Sequence, residues 1–173
     1  MSYRPPELLG PQHDHSGFVC ASPEQSDWLD RHARQSAATG TTRVFVVTPA
    51  DGQEVVAYYA WAMAQIELAD APTRLRKGAG RYPQPIALLA RLGVHRAHEG
   101  KGLGAGLLRD VIQRVASISD DIGCRGLVVH CESAHARDFY LHLVPEFEAS
   151  PTDELHLVLL LKDIRRTLRA DRQ

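Results

Sequence analysis

The chain has 173 residues, a formal net charge of -1 at pH 7 and a hydrophobic fraction of 44%. That length suits a single domain, 1–173, with a sizeable core, and the near-zero charge excludes a global electrostatic pull toward nucleic acid. No apolar run approaches the roughly 20 residues of a membrane span, MSYRPPELLGPQHDHSG has no signal-peptide core, and Cys20, Cys124 and Cys131 form no CxxC pair, so a cytoplasmic protein with reduced thiols and no metal is expected.

Residues 1–16, rich in Pro, Gly and polar side chains, read as a loosely held lead-in. From Ser22 the pattern changes. S-P-E-Q is a capping-box arrangement with Pro23 at the first helical position. Trp28, Leu29, His32 and Ala33 follow at helical spacing, which predicts a helix over roughly 23–38, stopped by Gly40. RVFVVTP is a strand, ADG a turn, and EVVAYYAWAMAQIEL the second strand of a hairpin. Tyr58, Tyr59 and Trp61 within it read as packing residues rather than base-stacking platforms. Residues 70–85 form a basic loop punctuated by Gly and Pro. PIALLARLGV suits a buried central strand.

After the glycine-rich stretch HEGKGLGAGLL, the residues Leu103, Leu107, Leu108, Val111, Ile112 and Val115 recur on one helical face. Arg109, Asp110, Gln113 and Arg114 fall on the other. GLVVHCE is a further strand, SAHARDFYLHL a short helix and ELHLVLLLK a final strand. Two basic runs stand out: TRLRKGAGR, with Arg74, Arg76, Lys77 and Arg81 and no acid, and the tail from Lys162 with Arg165, Arg166, Arg169 and Arg172. Each is either a solvated surface or a phosphate-contacting one.

A glycine turn between a strand and a helix exposes several backbone N–H groups at the positive end of the helix dipole, an arrangement that suits phosphates. A Walker A loop is excluded because Gly102, not Ser or Thr, follows Lys101. A dinucleotide fingerprint fails because no acidic residue ends a second strand about twenty residues on. Two readings remain: the pyrophosphate of coenzyme A, or a tight turn with no ligand.

E-G-K-G-L-G, Glu99 to Gly104, resembles motif A of the GNAT acetyltransferases, written [QR]-x-x-G-x-[GA], with LLARLGV before it and the amphipathic helix after it in the expected order. More narrowly, HDHSGFVCASPEQSDWL, ARQSAATGTTRVFVV, VVAYYAWA, ARLGVHR, GLGAGLLRDVIQR, LVVH and RDFY resemble the GNAT toxins of bacterial toxin–antitoxin pairs, which acetylate aminoacyl-tRNA. The resemblance covers most of the chain after residue 12. It departs at Glu99, where Gln or Arg is usual, and after Tyr140, where FYLHLVPEF replaces F-Y-x-x-x-G-F.

The resemblance implies an α/β GNAT fold: a central mixed, mostly antiparallel twisted sheet, splayed at the acetyl-CoA site and flanked by helices. It implies that Leu92, Gly93 and Val94 contact acetyl-CoA through the main chain. Glu99 (by its N–H alone), Gly100, Lys101, Gly102, Leu103 and Gly104 then wrap the pyrophosphate. Tyr140 is the implied proton donor to the thiolate. Ser133 is a further cofactor contact, and His135 is expected to be exposed. Arg74, Arg76, Lys77 and Arg81 are the leading tRNA contacts, with Arg31, Arg34 and Arg43 next. The same resemblance implies a ribbon–helix–helix antitoxin and a homodimer. Two other functions stay open: acetylation of a small amine or protein, and a non-catalytic acyl-CoA-binding module.

Overall fold

The computed structural model describes residues 1–172. Residues 1–16, expected as a loose lead-in, are tied down at several points. Tyr3 bridges to Pro49 and Asp14 to Glu54. Strand β1 (Glu7–Leu8) pairs antiparallel with Val46 and Phe45. Arg4 donates to Thr48 Oγ1 at 3.2 Å and to the Gly52 carbonyl at 2.7 Å. Buried His13 sits 2.9 Å from Glu7 and accepts from the Gly10 N–H at 2.8 Å. The composition suggested a loose segment because the partners that anchor it, from Phe45 to Glu54, lie far along the chain.

Two helices replace the single one predicted over 23–38. Helix α1 (Pro23–Arg31) is capped by Ser22, whose side chain accepts from the Gln25 N–H. His32 leaves helical geometry at φ -123°, and α2 (Ala33–Ala38) follows. Gly40, at φ 77°, takes the left-handed turn that ends it. The predicted hairpin forms from β2 (Arg43–Val47) and β3 (Ala57–Ile66), with Arg43 opposite Trp61 and Val47 opposite Ala57. The segment expected as a loop over 70–85 contains the short helix α3 (Thr73–Arg76). It leads into β4 (Gln84–Val94).

Helix α4 (Leu103–Ile118) follows the glycine turn, with Leu107, Leu108, Val111, Ile112 and Val115 buried as the spacing predicts. Strand β5 (Gly126–His130) runs parallel to β4, Ala87–Leu89 pairing with Leu127–Val129. That ladder ends at Leu89, while β4 runs on to Val94. Helix α5 (Ala134–Leu143), the two-residue strand β6 (Glu148–Ala149) and β7 (His156–Leu160) come next. The predicted final strand ends at Leu160, and the basic tail is a helix, α6 (Leu161–Ala170). Sheet order is β1-β2-β3-β4-β5-β7-β6. The β4–β5 pair is parallel, and β1–β2, β2–β3, β5–β7 and β6–β7 are antiparallel. No described helix is long and apolar enough to cross a membrane.

By its contacts the chain forms two compact units, Met1–Ala62 with Ala90–Asp110 and Met63–Leu89 with Val111–Gln173. The core of the first packs Phe18, Cys20, Leu29, Val44, Val46 and Tyr58. Tyr58 is fully buried, so its hydroxyl needs an acceptor, and it donates to the Gln25 carbonyl at 2.6 Å. Trp28 stacks on Tyr58, and Arg91 lies over Trp28 while pairing with Glu24 at 2.9 Å. Tyr59, also fully buried, donates to Asp110 at 2.6 Å. Asp110, read from the sequence as part of the solvent face of α4, is therefore a partner for a buried phenol. In the second unit Ile66, Leu75, Ile86, Val128, Val158 and Leu160 form the core.

Candidate functional site

The first unit holds Leu92, Gly93, Val94 and the whole glycine turn. A 3-10 turn over Arg96–His98 leads from β4 into extended Glu99. Gly100 and Gly102 then adopt φ values of 75° and 80°. For other residues that conformation costs roughly 1–2 kcal/mol. A Cβ at either position meets no atom within 4 Å, so it is backbone geometry, not crowding, that demands glycine. The Gly102 carbonyl accepts the Gly106 N–H at 3.0 Å, which makes Gly102 the residue at which α4 begins.

The N–H groups of Leu103, Gly104 and Ala105 are therefore the first-turn donors that a helix cannot satisfy itself. With those of Gly100, Lys101 and Gly102, they find no backbone acceptor among the described residues. Bare donors at a helix start, with open space beside the glycines, form an anion cradle. Glu99 and Lys101 are exposed, and neither side chain makes an ion pair or hydrogen bond among the described residues. The Glu99 N–H, expected in the cradle, instead donates to the Arg96 carbonyl at 3.5 Å, closing the 3-10 turn. Gly93 is glycine for a different reason. A Cβ there would lie 3.2 Å from Tyr58, 3.3 Å from Cys20 and 3.5 Å from Phe18.

Sequence reading missed the support behind this turn. The Tyr3 hydroxyl lies 2.7 Å from His98 Nδ1, immediately before Glu99. His95 accepts the Ala97 N–H and packs edge-on against His98. Burial, then Lys101 and His95, lowers the His98 pKa below the usual histidine value, favouring the neutral ring. No local sequence pattern announces a contact spanning 95 positions.

Tyr140 lies in the second unit, on α5, and is 7% exposed. Its ring packs edge-on against Phe139 and Phe147. Burial, then Cys131 and Glu132, raises its pKa above the ordinary tyrosine range. The phenol therefore holds its proton at neutral pH and can only donate it. Ser133 caps α5, its Oγ accepting the Ala136 N–H at 3.2 Å. Its hydroxyl hydrogen stays available for another acceptor. His135 is exposed, as expected. After Tyr140 the chain turns through Val144–Phe147, with the Phe147 N–H donating to the Val144 carbonyl, and Phe147 is buried.

The second unit also holds Arg74, Arg76, Lys77 and Arg81. Arg74, expected to face phosphate, is instead bound to carboxylates. It donates to buried Asp163 at 2.9 and 3.1 Å and to Glu148 at 3.1 Å. Asp163 and then Glu148 raise its pKa further. Arg76, Lys77 and Arg81 are exposed, with Arg76 donating to Thr73 at 3.2 Å. Among the second-choice cations, Arg34 is taken up by the carbonyls of Gly10 and His13, Arg31 pairs with Asp27, and Arg43 donates to the Ala37 carbonyl. Among the described residues no cluster of His, Cys, Asp and Glu is placed to hold a metal.

Comparison with known proteins gives consistent results. Residues 12–143 match the acetyltransferase (GNAT) family model. The chain is 42% identical over 163 residues to a tRNA-acetylating toxin of Mycobacterium tuberculosis, covering 94% of this chain and 95% of that protein. A crystal structure of a KacT variant superposes with a TM-score of 0.89 at 22% identity, covering 96% of this chain and 99% of that one. AtaT complexed with acetyl-methionyl-tRNAfMet superposes with a TM-score of 0.86 at 23% identity, with the same coverages, 96% and 99%. A further match holds AtaT with the C-terminus of its antitoxin AtaR and acetyl-CoA. At these identities the structural likeness concerns the fold.

Proposed function

The chain belongs to the GNAT acetyltransferase family, and on that premise we propose that it acetylates the α-amine of an aminoacyl-tRNA. As a single acetyltransferase domain over 1–173, it would block translation as the toxin of a toxin–antitoxin pair. The observation that carries this reading is the 42% identity to a tRNA-acetylating toxin over nearly the full length of both chains.

The open N–H cradle fits the pyrophosphate of acetyl-CoA. Gly100, Lys101, Gly102, Leu103 and Gly104 would hold it through their N–H groups, while that of Glu99 stays with the Arg96 carbonyl. Leu92, Gly93 and Val94 offer main-chain groups where the β4–β5 ladder has ended. Ser133 adds its free hydroxyl hydrogen. Acetyl-CoA, when bound, supplies the acetyl group and a thiolate leaving group. The Val94 N–H would polarise the carbonyl under attack, and Tyr140 would hold the proton destined for the thiolate. A free α-amine has a pKa near 7.7–8.0, and esterification to tRNA lowers it. The acceptor is thus neutral enough at pH 7 to need no strong protein base. Arg76, Lys77 and Arg81 are the exposed cations proposed to meet tRNA phosphates.

A ribbon–helix–helix antitoxin, a homodimer and action in the cytoplasm complete the proposal. The solved complex of AtaT with the C-terminus of AtaR supports an antitoxin partner. Labelled acetyl-CoA offered with charged tRNA, uncharged tRNA, a polyamine and a peptide tests the substrate. Label is expected in charged tRNA alone. Label confined to the polyamine or peptide would replace the substrate, and cofactor binding without transfer to any amine would remove the enzyme reading. Expression alone should arrest growth, and Tyr140→Phe should relieve the arrest.

A further inference from the structure

The second unit contains a cavity of about 360 Å³ lined by Arg74, Lys77, Arg125, Leu160, Leu161 and Lys162. The charge of Arg74 is answered by Asp163 and Glu148. The other three cations differ. Arg125 is fixed through two nitrogens, one donating to the Gln84 side-chain oxygen at 2.5 Å and one to the Leu75 carbonyl at 3.1 Å. Both acceptors are neutral, so the guanidinium is held in place while its charge stays uncompensated. Lys77 and Lys162 are exposed and form no ion pair among the described residues. A fixed cation without a counter-charge, flanked by two exposed lysines in a concave wall, suits an oxyanion.

We propose that this cavity seats a backbone phosphate of the RNA substrate. Its volume exceeds that of one tetrahedral oxyanion and leaves room for the adjoining sugar. Its Lys77 belongs to the same basic segment as exposed Arg76 and Arg81, and several cations on one segment suit a polyanion. Arg125 and Lys162 are thereby added to the RNA-contacting residues, and Arg74 is reassigned to holding α3 against α6.

The inference rests on tRNA being the substrate, so its test reads binding and not acetyl transfer. The full-length chain and the double variant Lys77→Gln/Lys162→Gln are titrated with uncharged tRNA between about 50 and 200 mM salt. Both lysines are exposed, and melting temperature checks the fold. The variant is expected to bind roughly three- to tenfold more weakly, with the slope of log Kd against log salt reduced by about one. Unchanged affinity and slope in a folded variant would overturn the proposal. So would inorganic phosphate that binds the wild type, is lost in the variant and leaves tRNA affinity the same in both, because the cavity would then serve a small free anion. A protein that binds tRNA through this cavity but acetylates nothing would refute the function and keep the seat. Acetylation of charged tRNA alongside undiminished tRNA binding by the variant would do the reverse.

Discussion

Tyr140 sits where a phenol keeps its proton, packed against Phe139 and Phe147, with burial, then Cys131 and Glu132, raising its pKa. Tyr140→Phe should lower kcat by about 10²–10⁴-fold while acetyl-CoA still binds, as steady-state kinetics and calorimetry would show. Because the shift is upward, the wild-type rate should not fall between neutral pH and about 9; a decline there would assign the acid elsewhere. At Gly102, the positive φ makes Gly102→Ala cost about 1–2 kcal/mol in a chemical melt. Gly102→Glu should abolish acetyl-CoA binding altogether, since a carboxylate would occupy the cradle. Two histidines set an acid limit. His98 and His130 have pKa values lowered chiefly by burial. The unfolded chain therefore takes up more protons than the folded one at and below about pH 6.5, so stability is lost as pH falls through that window. Melting temperatures across that range should drop, and less steeply in His98→Asn/His130→Asn. The glycine turn was legible in sequence because no other residue does its work. The bond of Arg74 to Asp163 was not, since its partner lies 89 positions away.

At the level of elements, local signals located starts better than stops. Ser22 and Ser133 each cap the helix that follows. The break at His32 left no mark, because His and Ala suit the interior of a helix as well as its end. α6 was hidden because its first residue, Leu161, continues the apolar run of β7. Its own signal, Leu161, Ile164 and Leu168 at helical spacing, was present but overlain by arginines. Two substitutions probe how these elements are held. A Cβ on Gly126, which has φ 150°, would lie 2.1 Å from the Leu159 carbonyl oxygen where β5 meets β7. Gly126→Ala should destabilise by more than about 3 kcal/mol. Arg74 is 42% exposed on its side chain, so solvent screens its pairs. Arg74→Ala should lower the melting temperature more than Arg76→Ala, because it takes from buried Asp163 its two shortest contacts and leaves only Arg166 at 3.6 Å. Equal melts for the two arginine variants would deny Arg74 its structural place.

Across the whole molecule, the order of strands and helices was readable because each carries its own periodicity, while the far-reaching ties of residues 1–16 were not. One feature shared by both compact units has a practical use. Cys20 lies in the first, Cys124 and Cys131 in the second, and all are buried. Burial pushes the Cys131 thiol up to about 11, so little thiolate exists at neutral pH. Alkylating reagents should therefore leave native protein unlabelled over minutes and modify every cysteine in denaturant; prompt labelling of native protein would contradict the burial. Under slow labelling, each modified peptide becomes a clock for the opening of its own neighbourhood. Peptides containing Cys20 and those containing Cys124 or Cys131, quantified by mass from one sample, would reveal whether the two units unfold together or on separate schedules.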